Sequence, residues 1–318
     1  MSYYAKLIKE NIARFNRNIK RFIGKRTVLP WLDEIISFAV FGASPDDYFR
    51  YEFYKKSWRE RNSFITYRRS KRLIRKYNTS DSCLTKTLND KSLMNAHFKD
   101  FIRREWIDPD KCTREELSDF VQAHGSVIMK PKGGSGGRGI FILKAQELAD
   151  KTCEYKGYIA EQIIVQHEEP AKLNPSSVNS LRVMTFMGEM ISCVLKIGSG
   201  NAVVDNMCSN GLYGNVNLEY GITDSLFYDI ELNRYACHPT TGAKLIGVEI
   251  PHWDELRDFV RRAADTMPTM KYVGWDVAML PNGFAIIEAN EAPGHDLSCQ
   301  STVQIGIYER IKEIDRSV

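Results

Sequence analysis

The amino-acid sequence predicts an α+β protein, because helical and strand patterns occupy different parts of the chain. From residue 1 to about residue 110, apolar positions recur mostly at helical spacing. Beyond residue 125, short runs rich in β-branched and aromatic residues alternate with turns that contain glycine. With 318 residues, 43% of them hydrophobic, the chain has room for one large or about two ordinary domains.

Two helix starts in the first part carry specific capping signals. Ser44 is expected to cap a helix that Pro45 opens, because proline suits the first turn of a helix. Thr113 and Glu116 have the spacing of a capping box, and Gly125 should end the helix that follows them. These signals place helices on both sides of residue 100.

The sequence after residue 125 predicts a series of strands and one amphipathic helix. The helix is expected over residues 251–267. The strands are expected at 126–130, 140–143, 158–164, 181–186, 190–197, 216–221, 272–280 and 284–289.

Positive charge is concentrated at the start of the chain. Residues 1–80 contain 19 Lys or Arg and 7 Asp or Glu, a net charge of +12, whereas the whole chain carries +4. Basic and apolar residues alternate at helical spacing in 54–61 and 67–76, which indicates helices with a cationic face. This face is either a solvated surface or one that meets an anionic membrane or an acidic polysaccharide. Nucleic acid is an unlikely partner, because no helix-turn-helix, RNP-type or zinc-finger spacing accompanies the charge.

Several protein classes are excluded by what the sequence lacks. The most apolar stretch, residues 31–43, contains two acidic residues and is shorter than the roughly 18 to 20 apolar residues of a membrane span. The N-terminus lacks a secretory signal, so we expect a cytoplasmic protein, either free or attached to the inner face of the membrane. The 7 cysteines are scattered without metal-ligand spacing and are expected to be reduced thiols.

A glycine-rich loop between two expected strands suggests a phosphate-binding site. Residues 133–139 include five glycines, which let backbone amides approach a phosphate without interference from a Cβ atom. A dinucleotide-binding loop or a Walker A loop is excluded, because a strand follows the loop and no Lys-Ser or Lys-Thr closes it. We expect a flexible lid over a nucleoside triphosphate, with Lys130 at its base; a mobile surface hairpin is the alternative. The cradle residues are Gly134, Ser135, Gly136 and Gly137.

An apolar hairpin near the C-terminus carries a cluster of oxygen ligands. Pro281 and Gly283 suit a three-residue turn, which pairs Asp276 with Glu288 and leaves Asn290 two residues along the same face. Opposed carboxylates in apolar surroundings repel unless a cation lies between them. Oxygen ligands of this kind suit Mg²⁺ or Mn²⁺. The alternative is an acidic pair at a sheet edge with no metal.

The order of these two motifs, with an arginine on a strand between them, resembles the ATP-grasp superfamily, and within it the branch associated with sugar transfer and polysaccharide biosynthesis. The resemblance covers most of the chain after residue 40. The resemblance lies in the amino-acid sequences of residues 46–64, 90–91, 130–139, 161–167, 177–182, 204–206 and 288–296.

The resemblance implies a fold and a set of roles. The fold would be two α+β subdomains that clasp ATP, at 81–160 and 161–318, after a basic helical region at 1–80. Lys91 and Lys130 would contact ATP phosphates, Glu161, Gln162, Ile163 and Ile164 would meet adenine, and Glu168 would bind ribose. Arg182 and Lys196 would act on the transferred phosphate, and Asp276, Glu288 and Asn290 would hold the metal. Asn206, Gly294 and Asp296 would face the substrate, and His295 would be a binding group or base, or a histidine packed in a loop.

The implied activity is an ATP-dependent carboxylate–amine ligase that forms an acyl phosphate. The substrates would be a uronic acid or similar small-molecule or saccharide carboxylate and an amine acceptor, in surface polysaccharide assembly. Two alternatives stay open: a kinase of a sugar or other hydroxyl acceptor, and a non-catalytic nucleotide-binding adaptor of a polysaccharide assembly complex. The sequence does not identify the substrates or the oligomeric state.

Overall fold

The structure is a computed structural model that describes residues 3–24, 28–78, 81–134, 136–148, 155–200 and 211–317. It confirms the α+β class, since helices dominate the first hundred residues and two antiparallel sheets follow. None of the helices in these ranges combines the length and the apolar character needed to cross a bilayer.

The helices begin and end close to the predicted signals. Ser44 accepts a hydrogen bond from the Asp47 amide, and Thr113 accepts one from the Glu116 amide, so both predicted caps are confirmed. Gly125 caps the end of the second of these helices. The helices are α1 (Tyr3–Asn18), α2 (Leu29–Phe41), α3 (Pro45–Arg50), α4 (Trp58–Arg61), α5 (Tyr67–Tyr77), α6 (Ser82–Asn89), α7 (Lys91–His97), α8 (Lys99–Ile102), α9 (Arg114–His124), α10 (Ala145–Leu148), α11 (Glu168–Leu173), α12 (Trp253–Asp265), α13 (Cys299–Val303) and α14 (Tyr308–Ser317).

The strands form a four-stranded sheet, in the order β1-β4-β2-β3, and a seven-stranded sheet, in the order β11-β10-β5-β6-β7-β8-β9. The smaller sheet consists of β1 (Trp106–Ile107), β2 (Ser126–Pro131), β3 (Phe141–Lys144) and β4 (Tyr158–Gln162). The larger sheet consists of β5 (Ser180–Phe186), β6 (Glu189–Ile197), β7 (Leu212–Asn215), β8 (Phe227–Tyr228), β9 (Arg234–Tyr235), β10 (Tyr272–Leu280) and β11 (Gly283–Asn290).

Successive residues of β10 serve opposite faces of the larger sheet, because side chains alternate along a strand. Trp275 and Val277 belong to the main apolar core, which α12 and helices α6 to α8 cover. Asp276, between them, faces the other side and borders a cleft. The core therefore holds one face of the sheet and leaves the opposite face for polar side chains.

The hairpin of β10 and β11 has the predicted pairing at its polar end but not at its turn. Leu280 pairs with Gly283, not with Phe284 as predicted, because the loop is one residue shorter than expected. A bulge at Ile287 adds one unpaired residue to β11 and so compensates for the shorter loop. As a result, Asp276 lies opposite Glu288. The pairing of the two carboxylates is confirmed, although the turn that was used to derive it was wrong.

The prediction of a strand over residues 216–221 is also wrong. The strand in this region is β7, which ends at Asn215, and Val216 forms only an isolated bridge with Thr223. The short strands β1, β8 and β9 have two residues each and were not predicted. Such short pairings give too few residues for an alternating pattern to appear.

Residues 41–64 contribute to an aromatic core of their own. It contains Phe41, Tyr48, Phe49, Tyr51, Phe53 and Phe64, with Phe15 and Ile19 from the preceding helices. This core rests on the C-terminal part of the chain, because the Ile65 amide donates to Gln300 Oε1 and the Tyr308 amide donates to the Ser63 carbonyl oxygen. The N-terminal helices thus pack on the same body as the sheets.

Candidate functional site

A cleft of about 270 Å³ lies between the two sheets. Both predicted motifs contribute to it, the glycine loop from the smaller sheet and the acidic hairpin from the larger one. Among the residues predicted for the site, the following line it: Lys91, Lys130, Gly134, Gly136, Gly137, Glu161, Gln162, Ile163, Ile164, Lys196, Asp276 and Glu288.

One end of the cleft is apolar and offers open backbone groups. Ile128, Ile142 and Ile287 line it together with residues 162–164, at and just beyond the end of β4. Within the described ranges, the backbone of residues 163–165 makes no hydrogen bond with another residue. An apolar slot with unpaired backbone donors and acceptors at its edge suits a flat heterocycle with hydrogen-bonding edges.

The glycine loop forms the roof over the middle of the cleft. Gly134, Gly136, Gly137 and Gly139 all have φ between 72° and 96°, a region that favours glycine. The loop is joined to α7 at the side, since Lys91 Nζ donates to the Gly134 carbonyl oxygen at 3.0 Å. The predicted lid therefore has the backbone that its composition requires, and a lysine lies under it.

Lys130 lies at the base of the cleft in a buried ion cluster. Its Nζ atom is 2.6 Å from Glu161 Oε2, and Arg104 contacts both oxygens of the same carboxylate at 2.9 and 3.0 Å. Burial alone would raise the pKa of Glu161, but the two cations hold that pKa below its usual value. Burial lowers the pKa of Lys130, and Glu161 opposes this shift. Sequence analysis missed Arg104, because only the fold brings it to a residue 57 positions away.

A row of charged side chains crosses three neighbouring strands on the cleft face of the larger sheet. Glu288 on β11 lies opposite Asp276 on β10, and Asp276 lies opposite Arg182 on β5. Asp276 Oδ1 is 3.3 Å from Arg182 Nη1 and 3.3 Å from Lys196 Nζ. The sheet therefore sets two carboxylates beside two cations at fixed positions.

The charged form of Glu288 is disfavoured by its surroundings. Burial, and next the negative charge of Asp276, raise its pKa above the usual value, against the attraction of Lys91 and Arg182. A cation placed between Glu288 and Asp276 would remove this cost, so the pair is suited to bind one.

Several buried atoms of the row lie in ion pairs but make no hydrogen bond to a described residue, so the row has room for both a cation and an anion. Among the described residues, Asp276 Oδ1 accepts no hydrogen bond, and Arg182 Nε and Nη1 donate none. A carboxylate oxygen that accepts no hydrogen bond can still coordinate a metal ion, and guanidinium N–H groups that donate none can bind a phosphate or carboxylate oxygen. Within the same ranges, no three His, Cys, Asp or Glu side chains are grouped as a metal site. The ligands here would be two carboxylates with the amide of Asn290, which lies opposite Gly274 on the next row.

Other predicted residues lie elsewhere. Glu168 is exposed at the start of α11 and does not line the cleft. His295 Nε2 is 2.8 Å from Asp47 Oδ1, so this histidine packs against α3 instead of facing the cleft. Gly294 and Asp296 flank it in the same loop after β11. Ser135 and Asn206, and with it the motif at 204–206, lie outside the described residues.

A second buried cation, also missed in the sequence, borders the site face of the larger sheet. Tyr213 on β7 pairs with Lys196 on β6, and its hydroxyl accepts a hydrogen bond from Arg50 Nη1 at 2.7 Å. Arg50 is buried, and its Nε atom donates no hydrogen bond to a described residue. The N-terminal helices thus add a positive charge to the side of the site that lies away from the glycine loop.

Comparison with known proteins gives one match over most of the chain. The profile of the family described as "Sugar-transfer associated ATP-grasp" matches residues 68–316. The chain is also similar to glutathione synthetase of Gloeobacter violaceus, with 29% identity over 126 residues, or 39% of this chain and 36% of that protein. Glutathione synthetase of Thermosynechococcus vestitus is 29% identical over 119 residues, or 36% of this chain and 34% of that one. The chain spans about a third of the length of these curated relatives.

Solved structures give weaker likenesses. The ATP-grasp ligase PsnB complexed with a minimal precursor has 15% identity and a TM-score of 0.45, over 74% of this chain and 63% of that one. D-alanine–D-alanine ligase from Bacillus anthracis has 12% identity and a TM-score of 0.38, over 73% of this chain and 62% of that one.

Proposed function

Because the chain belongs to the sugar-transfer associated ATP-grasp family, we propose that it is an ATP-dependent carboxylate–amine ligase. The observation that carries this proposal is the row of Glu288, Asp276 and Arg182, with Lys196 beside it, on the face opposite the apolar slot and the glycine loop. The partial likeness to proteins named glutathione synthetase supports ligation over phosphate transfer alone.

The residues of the cleft divide into three groups. Residues 161–164 and the isoleucines bind the base, and the amides of the glycine loop with Lys91 and Lys130 bind the phosphates. Asp276, Glu288 and Asn290 would hold Mg²⁺ or Mn²⁺, which neutralises phosphate charge when bound. Glu161 and Arg104 keep Lys130 in place at the base of the cleft.

The proposed reaction has two steps. An oxygen of the substrate carboxylate attacks the γ-phosphorus of ATP, and the bond between that phosphorus and the oxygen bridging to the β-phosphate breaks. The products of this step are ADP and an acyl phosphate. An amine then attacks the acyl carbon, phosphate leaves, and the amine nitrogen loses a proton to form the amide. Arg182 and Lys196 are proposed to lower the cost of the negative charge on the transferred phosphate. No nucleophilic side chain of the protein is needed in either step.

The substrate class is proposed from the chemistry of the charged side chains in and beside the cleft. Unpaired donors on Arg182 and the buried Arg50 suit a carboxylate, and we propose a uronic acid or similar saccharide carboxylate, used in surface polysaccharide assembly. The basic segment 1–80 is proposed to face an anionic surface, which would keep the enzyme near membrane-bound acceptors.

A substitution of Glu288 tests the proposal. We expect Glu288→Gln to lower acceptor-dependent ADP formation roughly 100-fold or more, the scale on which loss of a fixed electrostatic group acts. Because burial and Asp276 disfavour the charged form of Glu288, the variant should be at least as stable as the wild type without ligands. Glu189→Gln, an exposed glutamate on the same sheet, is the control and should keep full activity. The assay measures ADP with ATP, Mg²⁺ and a panel of uronic acids and amines.

Product analysis separates the alternatives. A ligase releases one free phosphate for each ADP, whereas a kinase leaves the phosphate on the acceptor. If the Glu288→Gln variant keeps its ADP formation, the role of this residue is wrong; if the wild type binds ATP but forms no ADP with any acceptor, the adaptor alternative gains support.

A further inference from the structure

Helix α2 (Leu29–Phe41) buries Phe41 in the aromatic core but presents a second set of apolar residues to solvent. Leu29 and Val40 are 70% and 53% exposed, and Leu32, Ile35 and Ile36 are 51%, 56% and 42% exposed. These residues recur at helical spacing, so they form one continuous exposed stripe. We call this stripe, with its five residues, the outer face of α2.

The opposite side of α2 is held by polar contacts. Arg61 donates to both oxygens of Asp33 at 2.6 and 2.9 Å, and the Tyr48 hydroxyl donates to Asp33 at 2.8 Å. Ser37 accepts from Arg61, and Glu34 is buried, where burial raises its pKa. The orientation of α2 is therefore fixed by the fold, and the outer face is not a hydrophobic surface turned outward by chance.

A cationic helix adjoins the outer face. In α5 (Tyr67–Tyr77), exposed Arg68, Lys71 and Arg72 lie on one side, at spacings of three and four residues. Arg68 joins the two helices, since its guanidinium lies 4.6 Å from the ring centre of Phe38 and its amide donates to the Gly42 carbonyl oxygen. Apolar and cationic surfaces thus form one continuous patch.

An aromatic residue lies at the border of this patch. Trp58 is 59% exposed and packs edge-on against Phe41 at 5.4 Å between ring centres. Exposed leucines and isoleucines on one helix, basic residues on its neighbour and an exposed tryptophan nearby are the composition of a surface that lies in the interface of a bilayer. Residues 1–80 carry a net charge of +12, which suits an anionic partner surface.

We propose that the outer face of α2 enters the surface of an anionic lipid bilayer, with the cationic side of α5 on the lipid head groups. This inference rests on the proposed anionic surface for residues 1–80 and commits it to lipid instead of polysaccharide. α2 has 13 residues, so it lies along the bilayer and does not span it. Apolar insertion and charge attraction then supply two separate contributions to binding.

Vesicle flotation tests the proposal. The full chain should float with vesicles of phosphatidylcholine and phosphatidylglycerol, and not with phosphatidylcholine alone. Replacing Lys71 and Arg72 with glutamine (K71Q/R72Q) should weaken binding to the anionic vesicles roughly 30-fold, since each basic residue near such a surface contributes about fivefold. The double variant L32S/I36S should lose flotation. The control I230S/I305S removes two exposed isoleucines elsewhere, 41% and 65% exposed, and should float normally.

The outcomes distinguish this inference from the proposed activity. Glu288→Gln should float as the wild type does, and L32S/I36S should keep ADP formation with a soluble acceptor and an unchanged melting temperature. Flotation of L32S/I36S equal to that of the wild type, or equal binding to neutral vesicles, overturns the proposal. Failure of the wild type to float also overturns it; if light scattering then shows a dimer that L32S/I36S dissociates, the outer face is an interface between two copies.

Discussion

Glu161 is a single buried carboxylate that faces two buried cations, Arg104 and Lys130. Removing the carboxylate leaves both cations without their partner, whereas removing Arg104 leaves a neutral pair of Lys130 and Glu161. The two losses should therefore differ in size, although they break the same cluster.

We expect Glu161→Gln to lower the free energy of unfolding by about 3–5 kcal/mol, the range seen when one partner of a buried ion pair is removed. Arg104→Met should cost less, about 1–3 kcal/mol, since it removes hydrogen bonds to a charged group but leaves no net charge. Denaturant unfolding near neutral pH measures both. Equal losses would mean that the charge left behind by each substitution does not decide its cost.

The sequence predicted the chemistry of single residues better than their partners. Asp276, Glu288 and Lys130, which line one cleft, were predicted to share a site because their neighbours in the chain form a hairpin or a glycine loop. Arg104 and Arg50 were missed, since each meets its partner only through the fold and carries no local signal. His295 was found as a polar residue in a turn, but its contact with Asp47, 248 positions away, could not be read from the chain.

At the scale of elements, the glycine loop connects composition to function. Gly136 has φ of 75°, and a Cβ atom added to it would meet no atom within 4 Å. Gly242 has φ of 72° and equally open surroundings, but it lies outside the cleft. A residue with a Cβ atom would therefore meet the same backbone strain at either position, but only Gly136 lies in the cleft.

We expect Gly136→Ala and Gly242→Ala each to introduce about 1–2 kcal/mol of local strain, because both positions need a left-handed backbone. Only Gly136→Ala should also raise the KM for ATP, roughly fivefold, since the strained loop must close over the phosphates. Melting temperature and KM are measured for both variants. An equal effect of the two on KM would show that the loop does not contact the nucleotide.

Elements with a strong local signal were predicted well. Strand β10 matches its predicted limits, 272–280, because a nine-residue segment that is apolar except for Gly274 and Asp276 is followed by a clear turn. The hairpin turn was misjudged by one residue and corrected by the bulge at Ile287, which nothing in the local sequence marks. The sequence of α2 shows only an apolar stretch, because sequence alone does not tell which side of a helix packs against the protein.

At the scale of the whole molecule, the N-terminal helices and the loop after β11 are joined by Asp47. This buried carboxylate accepts hydrogen bonds from the Ser44 and Tyr67 amides at 2.9 and 2.8 Å and contacts His295. Burial opposes the charge of Asp47, but the hydrogen bond and charge of His295 lower its pKa overall, below the usual 3.8.

We expect Asp47→Asn to lower the free energy of unfolding by about 2 kcal/mol, because hydrogen bonds to a charged group are lost. A carboxylate with a lowered pKa stabilises the fold above pH 3.8, so the difference from the wild type should hold at neutral pH and shrink as the pH falls through the lowered pKa. Asp46→Asn, on the same helix but half-exposed in a surface pair with Arg14, is the control and should cost well under about 1 kcal/mol. A pH-independent difference would contradict the role given to the charge of Asp47.

The alternation along β10 has a consequence for how this chain tolerates change. Adding or deleting one amino acid inside the strand would exchange the two sets of side chains beyond that point, sending Asp276 among aliphatic groups and Trp275 towards the phosphates. The strand must therefore keep the alternation of its side chains between the two faces, and this matters more than the identity of any one residue. Insertions and deletions are therefore compatible with this architecture only in the turns, where one residue more or less changes neither face of the sheet.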